Sequence, residues 1–148
     1  MPESIDYAEK IAKAFKEKAD HNKNESLACF SLILIASLSA PLFITLGEGD
    51  IWGKAIPSIL SVVAAGLTSW LQLRKPQKLW SMYRGSQRMI EDHITKYKFK
   101  IGDYKAHNEP DSLLAEKVAE IALNAHNEWI SVIPSPESIS LKEVIKNE

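Results

Sequence analysis

The chain has 148 residues, 18 Lys and Arg against 19 Asp and Glu, and a formal net charge of -1. That length allows one domain with appendages, and the balanced charge, with no basic stripe interleaved with aromatics, argues against a nucleic-acid partner. A single cysteine, Cys29, cannot form an internal disulfide, so the fold does not depend on an oxidising compartment.

The mean hydropathy of -0.15 averages two unlike kinds of segment. Residues 26–73 are mostly apolar, and the flanks are rich in charge. Residues 3–24 predict an amphipathic helix, with Ile5, Ala8, Ala12, Phe15 and Ala19 at helical spacing and Lys and Glu elsewhere. Its apolar face is thin and calls for a partner. Residues 26–46 carry no charge and are long enough to cross roughly 30 Å of hydrocarbon at about 1.5 Å per residue. Cys29, within this run, reads as a small buried hydrophobe. A Gly-rich, acidic spacer, GEGDIWGK, turns the chain into a second uncharged run at 55–73. Pro41 and Pro57 predict bends whose freed carbonyls are met by hydroxyls or neighbouring helices.

Lys75-Pro76 marks a break. A second cytoplasmic helix then occupies 77–101, with Leu79, Tyr83, Ser86, Ile90, Ile94, Tyr97 and Ile101 near the coiled-coil repeat. Gly102-Asp103 ends it. Asn108 or Asp111 is a candidate N-cap, and Pro110 an early position, of a third helix over 112–133. Leu114, Val118, Ile121, Ala125, Trp129 and Val132 line one face of that helix. Pro134 and Pro136 stop it, and 134–148 is a tail that forms a short helix or frays.

These segments define the fold class as an all-α membrane protein. It is a two-helix transmembrane hairpin with an N-terminal amphipathic helix and two long C-terminal cytoplasmic helices, one domain over 1–133. The competing reading, a buried hairpin in a soluble protein, needs more covering protein than this length supplies. A cleaved signal peptide fits badly, because a charged helix precedes the first span and a second span comes after it. Lys10, Lys13, Lys16, Lys18 and Lys23 precede the spans, and Arg74, Lys75, Lys78, Arg84 and Arg88 come after them. The spacer offers only Lys54 beside Glu48 and Asp50. By the positive-inside bias both ends face the cytoplasm, with Trp52 at the outer interface and Trp70 near the inner one.

Nothing in the pattern points to catalysis or to a cofactor. His21, His93, His107 and His126 match no zinc signature. GEGDIWG lacks the lysine and hydroxyl of a phosphate-cradling loop, and no nucleophile motif is recognisable. Neither span holds an ionisable carboxylate, Lys, Arg or His, which argues against a proton relay or ion-coupled transport. Ser61, Ala65 and Ser69 recur every four residues on the second span, with Ser58 close to the same face. Ser31, Ala36, Ser37, Ser39 and Ala40 sit on the first. Such residues serve either close helix packing or a weakly polar pore lining, and a pore requires several subunits. Arg84, Arg88 and Lys78 could meet a phosphate, although basic residues beside a span more often set orientation and meet lipid headgroups.

Two spans, then WSMYRGSQRMIEDHITKYKFKIGDY and a last helix with AHNEW, resemble the SLATT family, bacterial two-transmembrane effector domains associated with nucleotide-signalling and SLOG-domain systems. The resemblance covers roughly residues 5–133 and rests on Trp80, Tyr83 and Arg84, on Asp103-Tyr104, and on Asn127-Glu128-Trp129. It departs at Gln87, where an acidic partner for Arg84 is expected. The resemblance implies a pore-forming or membrane-disrupting effector of the bacterial inner membrane, in anti-phage defence or nucleotide signalling. It would act in the lipid bilayer as a homo-oligomer, with a cytoplasmic sensor or signalling partner. Trp80, Tyr83, Arg84, Tyr104 and Trp129 are then candidate structural or coupling residues, and Ser58, Ser61, Ala65 and Ser69 the candidate pore or packing face. The alternative is a non-conducting membrane anchor whose cytoplasmic helices dock a partner protein.

Overall fold

A computed structural model describes residues 3–105 and 107–132. Four α-helices carry the chain: α1 (Glu3–Leu46), α2 (Ile56–Arg74), α3 (Pro76–Phe99) and α4 (Pro110–Val132). They form two compact units, one of residues 1–22 and 77–148 and the other of 23–76. Helix α1 contributes its first part to the former and its second part to the latter.

In the first unit, the start of α1 packs with α3 and α4 as a three-helix bundle. Ile5, Ala8, Ala12 and Phe15 of α1 share one apolar cluster with Ile90 and Ile94 of α3 and with Leu114, Val118, Ile121 and Ala125 of α4. These are the positions that helical periodicity selects, and each helix alone would leave that stripe in water. Cross-links between helices fix the directions. Lys98 pairs with Glu9 and Arg84 with Asp20, so α3 runs antiparallel to the start of α1. Asp111 accepts from both Ser4 and Tyr97, so α4 begins where α1 begins and runs parallel to it.

Two boundaries differ from the sequence expectation. Helix α3 ends at Phe99, short of Gly102, because Lys100 takes the left-handed conformation (φ 52°). Its N–H bonds to the Tyr97 carbonyl at 3.2 Å, and Ile101 N–H bonds to the Lys96 carbonyl at 3.0 Å. That pair of bonds satisfies carbonyls the helix end leaves open. Gly102 (φ 62°) then opens a 3-10 turn, Gly102–Tyr104. Helix α4 begins at Pro110, with Leu113 N–H bonding the Glu109 carbonyl. Asp111 lies inside the helix, and its carboxylate accepts from Ser4 and Tyr97. The stop at Pro134 and Pro136 and the tail 134–148 lie outside the described residues.

In the second unit, the latter part of α1 and α2 form an antiparallel hairpin. Phe43 stacks on Trp52 near the turn, with centroids 6.0 Å apart. At the far end Glu25 accepts from Trp70 Nε1 at 3.0 Å and pairs with Arg74 at 3.3 Å. Along α1 the less exposed residues include Ser26, Cys29, Ile33, Ala36, Ala40, Phe43 and Gly47, and along α2 Pro57, Leu60, Ala64, Leu67 and Leu71. Both series step by three and four, the repeat of a left-handed seam. Small residues hold much of the α1 side, which lets the backbones approach. At Gly47 a Cβ would meet the Phe43 carbonyl oxygen and lie 2.8 Å from that of Trp52, so the turn closes only around glycine.

The hairpin turn is tighter than the spacer predicts. A π-helical turn, Ile51–Ala55, leads directly into α2. Ile56 N–H bonds five residues back to the Ile51 carbonyl, and Pro57 comes next with no N–H to offer. Pro57 thus starts α2 and does not bend its middle. Pro41 lies inside α1, where Thr45 Oγ1 bonds the Pro41 carbonyl at 3.0 Å and Ser39 Oγ that of Ile35 at 2.6 Å. Helix α2 ends on Lys75, left-handed at φ 49°, with Pro76 opening α3.

Candidate functional site

Most of the family-associated residues collect at the end of the three-helix bundle that carries Asn22 and Gln77, the two points where the chain passes to the hairpin. Arg84 is the hub. Its guanidinium donates to Asp20 of α1 and, at 2.7 Å, to the Gln87 side-chain oxygen. Gln87 is buried and donates onward to Glu91 at 2.6 Å, and Arg88 closes the chain on Glu91 at 3.0 Å. Gln87 therefore relays where a carboxylate is expected, and Asp20, from a different helix, supplies the charge. An amide suits this position because it accepts from Arg84 and donates to Glu91, which one carboxylate cannot do. Arg84 is thus paired with Asp20, and Arg88, largely exposed, with Glu91.

Tyr83 lies one residue from this hub and faces the groove between α1 and α4. Its ring sits 5.9 Å from that of Phe15 and lies under Lys18 Nζ at 5.6 Å. Burial pushes its hydroxyl pKa up, so it stays protonated. The groove, about 530 Å³, is lined by Ile11, Phe15, Lys18, Tyr83, His126 and Trp129 among others. His126 and Trp129 stack at 6.0 Å. Spacing puts Trp129 on the core face with Val132. It stays 38% exposed, because the core stripe passes through Ala125 and Val132 and leaves Trp129 at its edge. Trp80 is half-buried on α3.

Tyr104 belongs to the opposite end of the bundle. It is buried, edge-on to Tyr97 and His93, with its hydroxyl 3.1 Å from His93 Nδ1. Burial first, then the Lys96 charge and more weakly Lys117, lower the His93 pKa, while Asp92 and Asp103 oppose the shift. Tyr104, whose own pKa burial raises, keeps its proton and can donate only to a neutral ring. Unfolded, His93 takes up a proton as the pH falls through its usual 6.5, and folded it does so only lower. The unfolded state thus binds more protons in that window, and stability falls as the pH drops through it. A melt taken at about pH 7.5 and again at about pH 5.5 should lose more stability in the parent than in His93→Gln. Equal losses would remove His93 from the account.

The second group of predicted residues lies on α2. Ser58, Ser61, Ala65 and Ser69 are all exposed, on the side of α2 away from the seam. Their hydroxyls bond back along the helix: Ser58 to Lys54 at 2.7 Å, Ser61 to Pro57 at 2.8 Å and Ser69 to Ala65 at 2.9 Å. The face is therefore not the packing contact within the hairpin, which Ala36, Ala40 and Ala64 provide. Of the small residues on α1, Ala36 and Ala40 are buried while Ser31 and Ser37 are exposed. Periodicity identifies the small-residue stripes, but burial decides which stripe meets the partner helix.

Sequence reasoning misses Asp20 and Glu91 and does not assign Gln87 its relay. Asp20 comes directly after Ala19 at the edge of the apolar face, the only sequence hint that it could reach across to α3. Among the described residues no three or more His, Cys, Asp and Glu side chains are grouped to hold a metal.

The latter part of α1 and α2 are long and apolar enough to cross a membrane, and only 11% and 6% of their most apolar windows are buried. Leu38, Ile44 and Val62 on these helices are exposed, as lipid-facing side chains would be. Together with the helical bundle, this defines a class, all-helical proteins with a two-helix membrane hairpin and a polar helical unit. A family profile described as SMODS and SLOG-associating 2TM effector domain 1 matches residues 8–129, and the chain belongs to that family of two-transmembrane effector domains. Comparisons with curated proteins and with solved structures give no match.

Proposed function

We propose that this chain is an oligomeric effector of the bacterial inner membrane that opens a pore or otherwise breaches the bilayer, in a nucleotide-signalling or anti-phage system. Both termini lie in the cytoplasm in this reading, which the lysines and arginines flanking the spans support. Trp52 and Trp70 then sit at the two interfaces. A cytoplasmic sensor or signalling partner triggers it, and it uses no cofactor and catalyses no reaction. The observation that carries the proposal is the outward position of Ser58, Ser61, Ala65 and Ser69. The hairpin packs without them, so this weakly polar face is available to neighbouring copies, which a pore requires.

Induced expression should depolarise cells, and Ser61→Trp or Ala65→Trp should abolish that effect while insertion continues. Normal membrane potential with well-inserted parent protein would sink the proposal.

One observation favours a second reading, a non-conducting anchor. Each of the three serine hydroxyls already bonds a carbonyl of its own helix, so the face can stand against lipid without a polar partner. Under that reading an unrelated hairpin replacing residues 23–76 preserves function, and under the first it does not.

A further inference from the structure

The edge that α1 and α4 share is apolar, open and self-complementary. Along α4, Ala119, Leu123 and Ile130 lie beside the groove, with Leu123 and Ile130 60% and 53% exposed. Along α1, Ile11, Ala14 and Lys18 form the groove's other lip. Steps of three, four and seven residues on both helices are the spacing of a surface that packs against another helix. The edge thus carries a ridge, Leu123 with Ile130, next to a hollow between Ile11, Ala14 and Lys18. A face that holds both can close on a second copy of itself, because a two-fold axis puts each ridge into the other's hollow.

Charge follows the same division. Lys10 and Lys18 of α1 are exposed and make no ion pair among the described residues, and Lys18 Nζ rests over the Tyr83 ring. Glu116 of α4 is exposed and also makes no ion pair among them, since Lys117 beside it pairs with Glu120. The α1 lip is therefore basic and the α4 lip acidic, so two copies attract when each α4 faces the other's α1. Register follows from the bond of Ser4 to Asp111, which levels the starts of these two parallel helices. Ile11, Ala14 and Lys18 then lie level with Val118, Ile121 and Ala125. A two-fold axis parallel to the helices preserves those levels and keeps both copies pointing the same way.

We propose that two copies of this chain dock through the α1–α4 edges of their helical bundles. Ala119 of one copy meets Ile11 of the other, Leu123 seats between its Ala14 and Lys18, and Glu116 faces its Lys10. A second copy suits so short a seam better than a soluble partner does. Chains held in one bilayer need less than the roughly 800 Å² per partner that stable soluble complexes bury, because confinement raises their effective concentration. The contact belongs to the bundle, so it stands whether the hairpin opens a pore or only anchors the chain.

The test co-expresses two full-length Cys29→Ser chains with tags of different size, one carrying Ala14→Cys and the other Leu123→Cys. Mild oxidation of the membranes should join them in a disulfide that runs at the summed mass on a non-reducing gel. The control pair is Thr95→Cys with Leu123→Cys, since Thr95 opens on the α1–α3 side of the bundle. The first pair should react about tenfold faster than the control, because docking raises the local concentration of its two thiols. Glu116→Lys in both chains should slow the first pair about threefold, and adding Lys10→Glu to both should restore it. Cross-linking no faster than the control would overturn the proposal, by giving the edge to some other occupant. Charge reversal that Lys10→Glu fails to restore would overturn it too.

Discussion

Leu114→Ala should lower the stability of the α1–α3–α4 bundle by about 2–5 kcal/mol, the range for truncating a fully buried leucine. Leu114 has no exposed surface and belongs to the cluster that joins all three helices, with Ile90 and Val118 equally enclosed. The loss combines the transfer free energy of the removed carbons with the cavity they leave. One fact argues for the upper half of the range. Alanines at 8, 12 and 125 already hold the helices close, so little slack remains for collapse around the hole. The consequence is large because a bundle this small has little stability to lose. The melting midpoint of the polar unit should fall by roughly 10 °C or more. Leu123→Ala on the exposed side of the same helix should stay within about 0.5 kcal/mol. Similar midpoints for the two variants would show that the core assignment is wrong.

Ala36→Leu or Ala40→Leu should force the membrane hairpin apart, whereas Ala65→Leu should leave it closed. Both alanines are buried in the seam, and added methylenes there typically cost about 1–3 kcal/mol. In lipid the effect on association is direct, because helices meet there by close packing and gain no hydrophobic driving force over the acyl chains. The pairings of Glu25 with Trp70 and Phe43 with Trp52 set Cys29 opposite position 67. Oxidative cross-linking of Cys29 with Leu67→Cys therefore reports closure. Its rate should drop about tenfold with leucine at 36 or 40 and stay unchanged with leucine at 65. If Ala65→Leu also opened the hairpin, the outward face on which the pore proposal rests would not exist. If it spared the hairpin yet abolished depolarisation, that face would act between copies.

Helices and their buried stripes are legible in the residues alone. Uncharged runs at 26–46 and 55–73 must be helical in lipid because no other conformation satisfies an isolated backbone there. Ile5, Ala8, Ala12, Phe15 and Ala19, spaced for one face, are buried without exception. The charged flanks and the family-associated Trp80, Tyr83, Arg84 and Trp129 are equally readable. Which partners those residues meet is settled only by packing. Asp20 reaches Arg84 across 64 positions of sequence, and no local spacing encodes a contact made by two antiparallel helices. The small-residue stripe at Ser58, Ser61, Ala65 and Ser69 has the spacing of a packing seam, yet the seam runs through Pro57, Leu60, Ala64 and Leu67. Both stripes repeat with a helical period, and only the rotation of α2 about its own axis, fixed by Gly47 and the π-helical turn, distinguishes them. Lys100 in place of Gly102 ends α3 for a similar reason. A left-handed residue is favoured by glycine but can be imposed on lysine when the carbonyls of Lys96 and Tyr97 need donors.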